Sequence, residues 1–288
     1  MKVMKSGLVG KKLGRTPVMD AVTYVVLTIA ALMSMFPVLW AITTALKTDG
    51  EVNSFPPTML PSKINWGNFH AVIFQSDYVR YLLNSVIITG LCILIATAVA
   101  AHSAYALTNF RIRFKKQMMF VILMTSMVPP VALLVPLYML AVKVGLYDTR
   151  FLLILIYTAW RVPVLAWILR GFFEKLPKEI MEAGILDGCS QSMVFYRLIL
   201  PISKPGIVSA ALLSAVYVWN DFLVSSTFTT KNELRMLSVG LYNYISQYGI
   251  QWGKLMAAVT ISIVPIVVLF VLLQRHFVEG MAAGAVKG

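Results

Sequence analysis

The stretch LLNSVIITGLCILIATAVAAHSAYAL, residues 82–107, contains no Asp, Glu, Lys or Arg. A helix needs about 20 apolar residues to cross a bilayer, so this stretch predicts a transmembrane helix. The composition of the whole chain agrees, since 59% of its 288 residues are hydrophobic and only 13% are charged. A soluble domain of this size needs more charge to cover its surface. The sequence therefore predicts a membrane protein.

Five further stretches have the same apolar character, which predicts an all-α protein with six transmembrane helices in a single domain, residues 1–288. The first stretch follows a basic tail, residues 1–20. Its apolar run is too long for the core of a signal peptide, so we expect this helix to be retained. The predicted spans are residues 21–46, 82–107, 118–142, 151–170, 206–226 and 255–273.

The distribution of Lys and Arg predicts the orientation of these spans. Five basic residues lie in the N-terminal tail, and four lie between the second and third spans, at residues 111–116, without an acid. Loops on the opposite side mix basic with acidic residues. The positive-inside rule therefore places both termini, including the tail 274–288, in the cytoplasm. Basic loops beside anionic lipid explain the net charge of +13, and nucleic-acid binding is not expected.

The chain contains no motif that would energise transport by itself. It lacks a phosphate-binding Gly-x-x-x-x-Gly-Lys-[Ser/Thr] loop, and its three histidines are too scattered to predict a metal site. A proton-coupled carrier usually buries several acids, whereas the predicted spans contain one acid, Asp221, and one mid-span base, Arg161. The energy source is therefore expected on another subunit.

The connection between the fourth and fifth spans, residues 171–205, is too long for a turn and too polar for the membrane. Pro177 suits the first position of a helix, and Gly188 suits its C-terminal cap. Ser190 suits the cap of a second short helix, which Pro201 is expected to end. The segment therefore predicts a helix–Gly–helix pair on the cytoplasmic side.

The first of these two helices is amphipathic. Glu179 and Glu182 share one face by i, i+3 spacing, and Met181 and Ile185 form an apolar stripe on another. Such a helix suits insertion into a groove of a partner protein. The alternative is a helix lying on the lipid surface, which acids disfavour when the lipid is anionic.

The string EAG at residues 182–184, with DG at 187–188 and LILP at 198–201, resembles the Glu-Ala-Ala loop of bacterial ABC importer permeases. In that family the loop is a coupling helix seated in a cleft of the ATPase subunit. Two residues depart from the family pattern, Gly184 in place of Ala and Leu198 in place of Ile. The glycine is expected to loosen the helix by about 0.5–1 kcal/mol. The resemblance implies ATPase-coupling roles for Glu179, Glu182, Ala183, Gly184, Asp187, Gly188, Leu200 and Pro201.

The likeness extends over nearly the whole chain, and it points to the permeases of the maltose-type carbohydrate importers. It rests on MVPP at residues 127–130, PLY at 136–138, RGFFE at 170–174, WND at 219–221 and the final GAVKG at 284–288. It implies the fold of a type I ABC importer permease in the bacterial inner membrane. The expected partners are a second related permease, two ATPase subunits, an extracytoplasmic binding protein and membrane lipid.

The same resemblance implies that the chain forms half of the translocation pathway for a sugar. An oligosaccharide is the first expectation, and a glycerol-phosphate or a polyol is the alternative. ATP and Mg²⁺ are expected on the partner ATPase, so this chain is expected to need no cofactor and not to be an enzyme. The last residues, 284–288, either contact the ATPase or form a frayed end. A stand-alone secondary carrier would need an inverted repeat and more buried acids, and a scaffold would need no broken spans.

Candidate substrate-path residues lie within the spans. Arg161 lies about 15 Å along the fourth span at 1.5 Å per residue, and Asp221 lies nearer the outer end of the fifth, beside Asn220. Arg161 and Asp221 are expected either to pair or to extend separately towards water. A cavity is expected beside Pro129 and Pro130, because proline leaves a carbonyl without its helical donor.

The loop between the fifth and sixth spans, residues 242–253, places aromatic rings among amides. Rings stack on apolar sugar faces and amides bond hydroxyl groups, which suits a saccharide. An aromatic belt at the membrane interface explains the same composition. The resemblance implies instead that this loop enters the cleft of the binding protein. The candidate residues are Gln247, Tyr248, Gly249, Ile250, Gln251 and Trp252.

Thiol labelling tests the predicted orientation. In a background in which Cys92 and Cys189 are replaced by Ser, the Ser62→Cys and Lys231→Cys variants are expected to react with a membrane-impermeant reagent in intact cells, because both positions lie in predicted outer loops. The Lys116→Cys variant is expected to react only after the membrane is opened. Its labelling in intact cells would contradict the orientation.

Overall fold

The computed structural model describes residues 17–247 and 249–285, and within them the chain is almost entirely helical. A single hairpin in this part of the chain pairs Ile245–Ser246 (β1) with Gly249–Ile250 (β2). The predicted all-α class is confirmed. The helices are α1 (Pro17–Ala45), α2 (Asp49–Val52), α3 (Gly67–Phe74), α4 (Tyr78–Asn109), α5 (Lys115–Met127), α6 (Pro130–Lys143), α7 (Arg150–Phe173), α8 (Lys178–Leu186), α9 (Gln191–Val194), α10 (Leu200–Ile202), α11 (Lys204–Asn220), α12 (Leu223–Phe228), α13 (Leu237–Tyr242) and α14 (Trp252–Ala285).

Four helices of the described chain are long and apolar enough to span a membrane, namely α1, α4, α7 and α14. Two further candidates are bent pairs. The first joins α5 to α6 with a bend of 89°, and the second joins Gln191–Ile202 to α11 with a bend of 73°. Counting each bent pair as one span gives up to six. The predicted number is therefore reached only when broken helices are included.

The predicted span 118–142 is not one helix. α5 ends at Met127 and α6 begins at Pro130, with Val128 and Pro129 in extended backbone at ψ 122° and 128°. The two prolines explain the break, because proline has no N–H to donate and disfavours helical backbone in the residue before it. The predicted span is therefore a bent pair of helices, and its interruption lies at the two prolines.

The predicted span 206–226 is wrong in its last third. α11 ends at Asn220, and α12 begins at Leu223. Between them, Asp221 Oδ1 accepts a hydrogen bond from the backbone N–H of Val224 at 2.9 Å. The first turn of a helix leaves backbone N–H groups without a carbonyl partner. The Asp221 carboxylate accepts one of these N–H groups and so favours the start of α12.

The central packing of the molecule joins α4 to α7. Ala96, Ala100 and Ala104 repeat at every fourth position of α4 and are fully buried. Alanine at this spacing lets two helix backbones approach closely. Leu165 and Leu169 of α7 belong to the same core. The segment after α8 contributes to it with Val194, Phe195 and Ile199. The spans and the segment between α7 and α11 therefore share one packed core.

The first helix, α1, packs against α14 but leaves most of its own surface uncovered. Its apolar side chains are exposed along the length of the helix, including Tyr24 at 71%, Leu32 at 61% and Met33 at 71%. An apolar surface of this extent requires lipid or another subunit to cover it. This helix is therefore peripheral to the bundle.

Asp148 connects two loops at the end of α7 remote from α8. Its backbone is left-handed, with φ 59°, and its side chain is buried. The carboxylate accepts hydrogen bonds from the N–H and hydroxyl of Thr230 at 3.0 and 2.9 Å and from the Lys231 N–H at 3.2 Å. Burial raises the pKa of Asp148, but these donors and the Lys231 ammonium at 4.0 Å outweigh burial and lower the pKa below its ordinary value.

We expect Asp148→Asn to lower the free energy of unfolding by about 1–3 kcal/mol at pH 7, because an amide cannot replace a carboxylate facing several donors. Folding lowers the pKa of Asp148. The carboxylate therefore stabilises the fold above its unfolded pKa of about 3.9 and loses this effect as the pH falls through its folded value.

Thermal unfolding of the detergent-solubilised protein measures this effect. Wild type and Asp148→Asn should differ at pH 7, and the difference should shrink as the pH falls below about 4. Asp49→Asn, at an exposed acid of α2, is the matched control and should change little at either pH. Equal stability of the Asp148→Asn variant and wild type at pH 7 would contradict the assignment.

Candidate functional site

The segment between α7 and α11 forms the helix–Gly–helix pair predicted from its sequence. The first helix, α8, ends at Leu186, and Gly188 has φ +83°, where a side chain would be strained. The Gly188 N–H donates to the Ile185 carbonyl at 3.0 Å, and the Cys189 N–H donates to the Gly184 carbonyl at 2.9 Å. These two bonds form a Schellman motif. The predicted role of Gly188 as a C-terminal cap is confirmed.

The second helix does not end at Pro201 as predicted. Ser190 caps it, accepting a hydrogen bond from the Met193 N–H at 3.3 Å. The backbone then widens into a π-helical turn, Phe195–Ile199, and continues through α10. A proline ring clashes with the carbonyl four residues before it, and that residue, Arg197, lies in the wider turn. The helix therefore passes Pro201 before it bends into α11.

The exposed surface of α8 is acidic, and its end is apolar. Leu186 is 88% exposed and Ile185 is 47% exposed. Met181 instead packs against the core of α4 and α7, so the predicted stripe of Met181 and Ile185 is divided between the core and the surface. Of the other predicted residues, Leu200 packs partly against this core and Pro201 is exposed. The exposed candidates on α8 and its turn are Glu179, Glu182, Ala183, Asp187 and Gly188.

Gly184 is buried between α8 and the helix that follows it. A Cβ atom at this position would lie 2.7 Å from Leu198 Cδ1 and 3.3 Å from Val194 Cγ2. The Leu198 side chain therefore occupies the space that the methyl group of an alanine would need. The two departures from the family pattern, Gly184 and Leu198, are connected by packing, and the glycine does more than loosen the helix.

A cavity of about 570 Å³ lies where the α5–α6 break faces α7 and α11. It lies beside Pro130, as expected from the two prolines. The hydroxyls of Thr125 and Ser126 donate to backbone carbonyls of α5, both at 2.7 Å, so their oxygen lone pairs remain available as acceptors. The polar and aromatic residues that line the cavity are Thr125, Ser126, Trp160, Arg161 and Tyr217.

Arg161 and Asp221 do not pair with each other. The guanidinium carbon of Arg161 lies 3.7 Å from the centre of the Tyr217 ring, whereas Asp221 accepts a hydrogen bond from the Tyr157 hydroxyl at 2.8 Å. Among the described residues, Arg161 Nε is buried without an acceptor. A desolvated cation–π contact contributes about 2 kcal/mol, against a cost of about 2.5–3.5 kcal/mol for Arg in the middle of a span. The ring therefore offsets most of this cost but not all of it.

Sequence analysis missed Tyr157 and Tyr217. Each lies four residues before a charged residue, Tyr157 before Arg161 and Tyr217 before Asp221, and therefore on the same helix face. Each tyrosine contacts the charge on the opposite helix rather than the charge on its own. The i, i+4 spacing was a signal available in the sequence, but it does not say which helix lies opposite.

Asn220 and Asp221 line a second cavity, of about 560 Å³. Asn220 is exposed, and its amide donates to the Val216 carbonyl at 2.9 Å. Tyr217 lines both cavities, so the fold brings Arg161, Asn220 and Asp221 into one region around this ring.

The loop before α14 forms the β1–β2 hairpin. Tyr244 anchors its base, since its side chain is buried, its hydroxyl lies 3.3 Å from Ser76 Oγ, and its carbonyl accepts from the Gln251 N–H at 3.0 Å. Gly249 has φ +130°, a conformation that favours glycine. Tyr248 lies outside the described residues. The other candidates of this loop are all exposed, namely Gln247, Gly249, Ile250, Gln251 and Trp252.

Comparison with known proteins identifies the family. The family described as "Binding-protein-dependent transport system inner membrane component" matches residues 93–283. A probable ABC transporter permease of Bacillus subtilis is 36% identical over 88% of this chain and 84% of its own length. A trehalose/maltose transport system permease of Thermococcus litoralis is 34% identical over 90% of this chain and 93% of its own.

A solved structure has the same fold. It is a chain of a bacterial ABC transporter involved in the import of the acidic polysaccharide alginate, which superposes with a TM-score of 0.77 at 20% identity over 90% of this chain and 96% of that one. Residues 182–201 and both bent helix pairs lie within residues 93–283, which the family model matches. The chain is a member of the binding-protein-dependent transport system inner-membrane components, the permease family of the ABC importers.

Proposed function

We propose that this chain forms half of the translocation pathway of an ATP-driven saccharide importer. The observation that carries the proposal is α8, a short capped helix that packs on the core of α4 and α7 while exposing acids and Leu186. A second, related permease completes the pathway, since one chain with this number of spans is too small to enclose a sugar. Both termini lie in the cytoplasm, as the distribution of basic residues predicts.

The exposed face of α8 docks into a cleft of an ATPase subunit. Glu179 and Glu182 offer charge, and Leu186 offers apolar area for a groove. The alternative, a helix lying on anionic lipid, would place these two acids against like charge. Two such ATPase subunits bind ATP and Mg²⁺ and hydrolyse ATP, and α8 transmits their movement to the spans. The last residues, 286–288, lie outside the described residues, and their contact with the ATPase remains part of this proposal.

The substrate is a saccharide. Relatives named for trehalose/maltose transport and for alginate import support this class. The cavity beside the α5–α6 break suits it as well, because Trp160 and Tyr217 offer rings for apolar sugar faces and Thr125 and Ser126 offer acceptors for hydroxyl groups. A glycerol-phosphate or a polyol is the second candidate, since its hydroxyl groups would find the same acceptors.

The β1–β2 hairpin contacts an extracytoplasmic binding protein. The exposed amides of Gln247 and Gln251 and the exposed ring of Trp252 beside the hairpin suit a sugar-binding cleft, and Tyr244 holds the base of the hairpin in place. An interfacial aromatic belt is the competing explanation, and it predicts that the hairpin has no part in substrate release.

Energy coupling through α8 is tested by two substitutions. Glu182→Lys reverses a charge facing the ATPase cleft, and Gly188→Val places a β-branched side chain at φ +83°. Both are expected to abolish substrate-stimulated ATPase activity of the reconstituted complex while leaving the chain inserted in the membrane.

Matched controls separate coupling from general damage. Glu233→Lys reverses an exposed acid in the loop between α12 and α13, and Gly50→Val places the same side chain where a Cβ would meet nothing within 4 Å. Both controls should keep near wild-type stimulation. If Glu182→Lys and Gly188→Val also keep it, the coupling role of α8 is wrong.

Replacing Tyr248-Gly249-Ile250 by Ser-Gly-Ser tests the hairpin. If this loop competes with sugar for the cleft of the binding protein, more sugar should remain on the docked binding protein when the complex is trapped with ATP, and transport should fall. A change of 1.4 kcal/mol in retention corresponds to tenfold. Sugar binding to the free binding protein and basal ATP hydrolysis should not change.

Trp66→Ser is the control for the aromatic-belt explanation, because this ring is 64% exposed and lies outside the hairpin. It should leave sugar retention at the wild-type level. Equal retention by the hairpin variant and wild type would exclude the role in release, and the assignment of the chain as a permease would stand.

A further inference from the structure

Arg161 is a cation without a hydrogen-bond acceptor in residues 17–247 and 249–285. Its guanidinium carries five N–H donors, and its guanidinium carbon lies 3.7 Å from the centre of the Tyr217 ring. Its Nε is buried and has no partner. A ring stabilises the charge on one face of the guanidinium but accepts no conventional hydrogen bond. The donors in the plane of the group therefore still lack an acceptor.

The nearby carboxylate does not supply that acceptor. Asp221 Oδ1 accepts from the Tyr157 hydroxyl at 2.8 Å and from the Val224 N–H at 2.9 Å, and no ion pair joins Asp221 to Arg161 within the described chain. Arg161 is also the one charged residue among those described as lining the cavity of about 570 Å³. The lining of the cavity therefore carries a single positive charge, which no ion pair among the described residues neutralises.

The hydroxyl groups of this cavity offer hydrogen-bond acceptors, whereas Arg161 offers donors. Thr125 and Ser126 have already donated their hydroxyl hydrogens to backbone carbonyls, so they face the cavity as acceptors. A saccharide offers hydroxyl hydrogens to such oxygens. An oxyanion on the saccharide would suit the guanidinium better than a hydroxyl group, because a carboxylate accepts two parallel, charge-assisted hydrogen bonds from it.

We propose that the saccharide transported through this cavity is anionic, and that Arg161 binds its carboxylate group during passage. The inference rests on the proposed function and adds to it the charge of the substrate. Tyr217 holds the guanidinium at the cavity wall, and the cavity volume falls within the range of about 300–1,000 Å³ that small-molecule sites occupy. A carboxylate from the second permease would supply the same chemistry, and the experiment below distinguishes the two sources.

The test compares pairs of sugars in which a carboxylate of one member replaces the hydroxymethyl group of the other. The complex of this chain with its permease and ATPase partners is reconstituted, trapped with ATP, and assayed without the binding protein, whose own specificity would otherwise intervene. The probes are matched pairs: α-1,4-digalacturonate with α-1,4-galactobiose, and cellobiouronic acid with cellobiose. In at least one pair, wild type should bind the anionic member at least tenfold more tightly.

The variants assign that preference to Arg161. Arg161→Gln should abolish it, and Arg161→Lys should keep part of it, since lysine retains the charge but not the fork. If Arg161→Gln impairs assembly of the complex, Arg161→Lys still allows the preference to be measured. Arg170→Gln is the control on the same helix, because Arg170 is paired with Glu174 at 2.7 Å and does not line this cavity, and it should leave the preference unchanged.

Two results would overturn the inference. One is that wild type binds the anionic and the neutral member of every pair equally well, whatever the affinity. The same result is expected if a carboxylate of the second permease already binds Arg161. The other is a preference that persists in Arg161→Gln. ATP-driven uptake of a neutral sugar by the same wild-type complex is measured in parallel. If it is observed while the preference is absent, the charge assignment fails and the proposed importer function stands.

Discussion

Backbone hydrogen bonding inside the bilayer is the constraint on which the rest of this structure depends. Lipid offers no partner for an N–H or C=O group, so a chain that crosses it must satisfy these groups within its own helices. The two interruptions near the cavities occur where the sequence supplies a substitute. Pro129 and Pro130 have no N–H to satisfy, and the Asp221 carboxylate accepts the N–H of Val224 at the start of a new helix. At both places the irregular backbone lies beside a cavity.

Helix α7 lines the first cavity and also packs against the segment that follows α8. The alanines of α4 bring α7 close, and the turn after α8 inserts Val194, Phe195 and Ile199 into that contact. Because these side chains share one core with α4 and α7, a displacement of α8 is expected to move α4 and α7 as well. Gly184 contributes to this packing. Because it has no side chain, Leu198 fills the space between α8 and the helix that follows it.

The charges near the cavities follow a crossed arrangement. Tyr157 and Arg161 lie on one face of α7, and Tyr217 and Asp221 lie on the corresponding face at the end of α11. Tyr157 donates to Asp221, and Tyr217 stacks on Arg161. A direct ion pair would have removed both charges from the cavity. The crossed contacts hold each charged group in position and leave the Arg161 guanidinium without a hydrogen-bond acceptor among the described residues.

The sequence by itself determined the membrane class, the positions of the long spans, the interruption at Pro129-Pro130 and the helix–Gly–helix pair around Gly188. These features depend on local causes, namely continuous apolar length, the missing N–H of proline and the need for positive φ at a glycine. Only the tertiary structure decided that the fifth span stops at Asn220, that the helix passes Pro201, that Asp148 joins two loops, and that Arg161 faces Tyr217 rather than Asp221. The last two depend on which atom of a distant residue lies within about 3–4 Å, and sequence spacing carries no such information.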